Sequence, residues 1–138
     1  MRKLPESRFT VAATFTVEWL QPGILLLRRT GLLSVDEANQ YAATATRLLQ
    51  TAPARWGAVV DVRGATAQTE QVQAIVQRII QTFVSKNVAR MAMVSSSTIT
   101  EMQQRRVATA PGMHDPKTLA FFSDFDAAVA DVQSAIAS

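Results

Sequence analysis

The chain has 138 residues, 48% of them hydrophobic, with a formal net charge of +3 and no cysteine. That length and apolar share suit one domain with one buried core. The composition excludes disulfides and cysteine-rich zinc sites, and so small a charge speaks against nucleic-acid binding.

No apolar run is long enough to span a bilayer. Met1-Arg2-Lys3 opens like the charged part of a secretion signal, but Pro5, Glu6, Ser7 and Arg8 follow in place of an apolar stretch. A cytoplasmic protein is therefore expected. The absence of cysteine fits a reducing compartment.

Residues 1–11 read as a tail and 12–138 as a single domain. The first strand is expected from Ala12 to Leu20, where Phe15, Val17 and Trp19 alternate with polar neighbours. Gln21-Pro22-Gly23 predicts a type II turn, with proline at the second position and glycine at the third. Ile24 to Arg29 follows as a second strand, apolar enough to be buried on both faces. Arg28-Arg29 and Arg105-Arg106 read as solvated surface pairs.

Gly31 closes that strand, and Ser34-Val35-Asp36-Glu37 has the pattern of a capping box. Ala38, Tyr41, Ala42, Ala45, Leu48 and Leu49 then share one helical face, and Pro53 marks the stop. Trp56 to Val62 is the third strand. The second helix shows a stripe of Val72, Ile75, Val76, Ile79, Ile80, Phe83 and Val84, with Asn87 as a left-handed terminator. Val88 to Val94 is the fourth strand, with Met91 and Met93 as core filler. Thr98-Ile99-Thr100-Glu101 predicts a second capping box and a third helix ending before Pro111-Gly112. Leu119 to Phe122 is a short fifth strand. Ser123 is expected to cap a last helix that buries Phe125, Ala128, Val129, Val132 and Ile136.

The order β-β-α-β-α-β-α-β-α predicts an α/β domain. Its five-stranded sheet is mostly parallel, with one N-terminal antiparallel hairpin strand and four helices. Ligands of such sheets bind beyond the strand carboxyl ends. That edge should carry Asp61, Arg63, Gly64 and Thr66 after the third strand, and Ser95, Ser96 and Ser97 after the fourth. Thr69 and Glu70 begin the second helix, where free N–H groups favour negative charge.

No catalytic motif stands out. His114 is the single histidine and lies in a Pro/Gly-rich stretch, and P-loop, GxGxxG and GxSxG patterns are absent. No cofactor or metal is expected. An enzyme using Asp61 and the Ser95–Ser97 cluster is the least favoured alternative.

Three segments carry a family resemblance: Gly23-Ile24-Leu25-Leu26-Leu27 with Thr30-Gly31, Val59-Val60-Asp61-Val62-Arg63, and Phe122-Ser123-Asp124-Phe125-Asp126-Ala127-Ala128. With the element order, they make residues 14–136 resemble a STAS domain of the SpoIIAA-like branch, whose fold is related to CRAL-TRIO lipid-transfer domains. The resemblance implies a non-catalytic module that docks a partner protein or small ligand at the strand ends and the second helix start. A carrier of an apolar or lipid-like ligand is the alternative. A homodimer is left open. The branch's phospho-switch uses a serine in an Asp-Ser-Ser/Thr-Gly motif before the second helix. Here Glu70 stands where that serine would be and Val72 where the glycine would be, so the resemblance does not extend to the switch.

Overall fold

A computed structural model describes residues 14–109, 113 and 115–137. The expected tail, Ala12, Pro111, Gly112 and His114 lie outside the described residues. The elements are β1 (Thr14–Gln21), β2 (Ile24–Gly31), α1 (Val35–Leu49), β3 (Gly57–Ala65), α2 (Glu70–Ser85), β4 (Arg90–Val94), α3 (Thr98–Thr109), β5 (Leu119–Phe122) and α4 (Phe125–Ala137).

The five strands lie side by side in sequence order. β1 pairs antiparallel with β2, and β2 through β5 are parallel. The hairpin turns at Gly23, whose φ of +88° is the left-handed value a type II turn requires of its third residue.

The strand pleat sends alternate side chains to opposite faces. Leu25, Leu27, Ala58, Val60, Met91 and Met93 join the buried sides of α1 and α2 and the end of α3. Ile24, Leu26, Val59, Ala92 and Val94 meet α4 alone, through Ala128 and Val132. The expected burial of Val59 and Val60 holds on both faces.

The Ser34 capping box forms as expected: the Glu37 N–H donates to Ser34 Oγ, and the Ser34 N–H donates to Glu37 Oε1. Asn87 takes a φ of +58° and ends the α2 segment. The Trp56 indole N–H donates to the Lys86 carbonyl and satisfies one terminal acceptor of α2.

Several expectations need correction. Val84 is exposed and stands outside the buried stripe of α2. The second capping box does not form at Thr98. α3 begins there, Ser97 Oγ accepts from the Thr100 N–H, and Glu101 pairs with Arg105. Asp124, not Ser123, caps α4, because its Oδ2 accepts from the Ala127 N–H. Arg28-Arg29 is not a solvated pair: Arg29 is only 1% exposed. Successive strand residues face opposite ways, so Arg29 is carried under α1 against Tyr41.

Candidate functional site

The expected site residues sit together at the carboxyl edge of the sheet, but in two groups with different work. β3 runs three residues further than expected, to Ala65. Arg63 and Gly64 therefore lie within the strand and not beyond it.

The first group lies on the α4 side. Asp61 is 3% exposed, and both its oxygens are engaged. Oδ1 accepts from the Arg63 backbone N–H and Nε. Oδ2 accepts from Arg63 Nη2 and Arg28 Nε, each at 2.9 Å. Both guanidinium groups stack on the Phe125 ring, at 5.1 and 5.5 Å from its centroid. Burial alone would raise the Asp61 carboxyl, but the hydrogen bonds from Arg63 and Arg28 outweigh it and hold the group below its ordinary value. Asp61 is thus a fixed anion that sets two half-exposed arginines in place.

The serine run is also engaged inward. Ser95 Oγ donates to the Ser97 carbonyl, Ser96 Oγ donates to the Arg63 carbonyl, and Ser97 caps α3. A serine nucleophile needs a base at its hydroxyl proton. The protons of Ser95 and Ser96 face backbone carbonyls instead.

The second group is the β3–α2 loop, and its centre is a residue the sequence did not single out. Gln68 is buried. Its Oε1 accepts from the Leu33 N–H, and its Nε2 donates to the carbonyls of Gly31 and Thr66. Its backbone N–H donates to Gln103 Oε1, and its carbonyl accepts from Gln103 Nε2 and Gln73 Nε2. Thr66 donates its N–H to the Gly31 carbonyl, Thr69 caps α2 by accepting from the Val72 N–H, and Glu70 is the acidic residue of the first turn. Gly64 serves packing, since a Cβ there would come within 2.7 Å of Thr30 Cγ2 across the strand pair.

Gln68 ties the β2–α1 loop to α3. Close to its two partners in sequence are exposed apolar side chains: Leu32 and Val35 on either side of Leu33 and Ser34, at 53% and 39% exposure, and Ile99 and Met102 on α3 before Gln103, at 68% and 63%.

This arrangement of strands and helices matches the crystal structure of an uncharacterized DUF3478-family protein with a SpoIIAA-like fold from Shewanella loihica PV-4. The TM-score is 0.64 and the identity 17%, over 87% of this chain and 93% of that one. The fold is SpoIIAA-like. No family model matches the chain, and no curated protein matches it at a significant level. The SpoIIAA-like fold expected from the sequence is thereby borne out. Among the described residues, no helix of the SpoIIAA-like domain is long and apolar enough to cross a membrane.

Proposed function

We propose that the protein is a non-catalytic docking module that engages a partner protein at the carboxyl edge of its sheet. One observation carries this reading. Of the six exposed large hydrophobic side chains among the described residues, Leu32, Val35, Ile99 and Met102 flank this one edge. Scattered apolar residues are ordinary on a surface, whereas a group at one edge marks an interaction site. The Gln68 bonds fix both halves of the surface before a partner arrives, which lowers the ordering cost of binding. An enzyme at Asp61 and Ser95–Ser97 finds less support, because four donors surround the carboxylate and the Ser95 and Ser96 protons are engaged. The apolar-carrier reading needs an internal cavity, and the observations supporting the docking reading lie on the surface. The cysteine-free composition supports a cytoplasmic location.

The experiment compares proteins captured from native-cell extract by the parent, by an Ile99→Asp/Met102→Asp variant and by Val84→Asp. A specific partner is retained by the parent and by Val84→Asp and lost by the edge variant. Identical captures by all three would sink the proposal. Docking is set by partner concentration and not by a phosphate at the α2 start, where Thr69 already accepts from Val72. Intact-mass detection of phosphate on Thr69 in native cells would refute that part.

A further inference from the structure

A second surface lies on the outer helical layer, away from the carboxyl edge of the sheet. α1 and α2 lie side by side on the outer helical layer and leave an open groove of about 650 Å³ between them. Ala42, Ala43, Thr46, Arg47, Arg78 and Ile79 line it. Small and aliphatic side chains provide the apolar part. Arg47 and Arg78 are exposed.

These two differ from the other described arginines, all of which make a hydrogen bond through the side chain, Arg29 to Tyr41 and Arg106 to Gln73 among them. Arg28, Arg63, Arg90 and Arg105 each hold a carboxylate, and Arg55 donates to the carbonyls of Ala135 and Ile136 at the end of α4. Arg47 and Arg78 form no ion pair among the described residues, and no acidic side chain lines the groove. Two guanidinium groups that face one cleft with no acid beside them present a complementary surface to negative charge.

We propose that the α1–α2 groove docks an acidic peptide segment of a partner protein. The lining on α1 runs from Ala42 to Gln50, about 12 Å of helix at 1.5 Å per residue. An extended strand covers that length with about four residues. The fitting ligand is a short extended segment with two carboxylates for Arg47 and Arg78 and a small apolar side chain over Ala42 and Ala43. A nucleic acid fits less well, because its binding draws on many phosphate contacts and the groove supplies two cations.

The test titrates fluorescein-labelled hexaglutamate with the full-length chain by fluorescence anisotropy, at low salt and again at physiological salt. Parent, Arg47→Glu/Arg78→Glu and Arg105→Glu/Arg106→Glu are compared after circular dichroism shows that each is folded. The two double variants carry the same change in net charge. The expected result is that reversal in the groove weakens the peptide by about tenfold or more, while the matched α3 reversal leaves most of the affinity. Amide chemical shifts of Ala42, Ala43 and Thr46 should move on titration of the parent. Equal losses in both variants, or no binding at low salt, would overturn the proposal. So would tighter binding of a single-stranded oligonucleotide of equal charge that depends on Arg47 and Arg78.

Discussion

Gln68 and Gln103 bind each other as two strands of a ladder would: the Gln68 N–H donates to Gln103 Oε1 at 2.9 Å, and Gln103 Nε2 donates to the Gln68 carbonyl at 3.1 Å. A side-chain amide thus stands in for a backbone peptide at the one buried residue of an otherwise exposed loop. Replacing Gln103 with Leu removes both partners at once and leaves the Gln68 N–H without its acceptor. Unpaired buried groups cost about 1–3 kcal/mol each. Urea unfolding should show a loss in that range for Gln103→Leu, and an unchanged midpoint would mean that water or another group replaces the amide.

Asp61 ties acid stability to the arginine pair. Its folded value lies below the ordinary 3.8, so its contribution is complete above that value and is lost as pH falls through the lower folded value. Asp61→Asn should lower the melting temperature at neutral pH, and the gap from the parent should close as the pH is taken below the ordinary carboxylate range. A gap that stays constant down to the most acid point would separate Asp61 from the acid limb.

Gly57 sits where α4 crosses the sheet. A Cβ there would come within 2.5 Å of Val132 Cγ1 and 2.8 Å of the Arg90 carbonyl oxygen. One of these neighbours is backbone and cannot swing aside. Gly57→Ala should destabilise by about 1–3 kcal/mol through overpacking, read as a shift in the denaturation midpoint. An equal or higher midpoint would show that α4 can ride away from the strand at no cost.

Arg29 is a buried cation whose Nε has no hydrogen-bond partner. Its Nη1 reaches Tyr41 Oη only at 3.5 Å. Burial pushes the Tyr41 phenol up, with Arg29 opposing that shift. An apolar residue of similar length avoids the desolvation, so Arg29→Met should match or exceed the parent in thermal stability. A large loss would mean that the guanidinium is well paired in solution.

β1 and the apolar helix stripes were legible because each repeats a simple period, about two or 3.6 residues, and β2 was legible as a continuous apolar run. Local caps were legible only where one candidate stood alone. Ser34 has no competing hydroxyl or carboxylate just before it, and its box was placed correctly. Ser95, Ser96, Ser97 and Thr98 offer four hydroxyls in a row. Ser95 turns to the Ser97 carbonyl and Ser96 reaches across to the Arg63 carbonyl, which leaves Ser97 as the cap. At α4 two candidates stand side by side, Ser123 and Asp124, and Asp124 takes the cap.

Asp61 and Arg63 were found from their strand-end position, but their partner Arg28 is thirty-three residues from Asp61. Gln68 was missed altogether. A glutamine in a loop carries no local signature, and its importance arises from Leu33 and Gln103, each thirty-five residues away. Sequence period reports on burial, whereas these bonds depend on which loops meet.

One helix shields the apolar part of one sheet face, and it follows all the described strands. During synthesis, Ile24, Leu26, Val59, Ala92 and Val94 are therefore made long before Ala128 and Val132 can shield them. The opposite face is better placed, since α1 and α2 leave the ribosome between the strands they cover. A chain that folded as it was made would have one sheet face sealed and the apolar part of the other still bare, a form prone to aggregation. A nonsense mutation ahead of Phe125 would then produce an adhesive slab and not a trimmed working domain, and such a fragment would draw on chaperones and proteases.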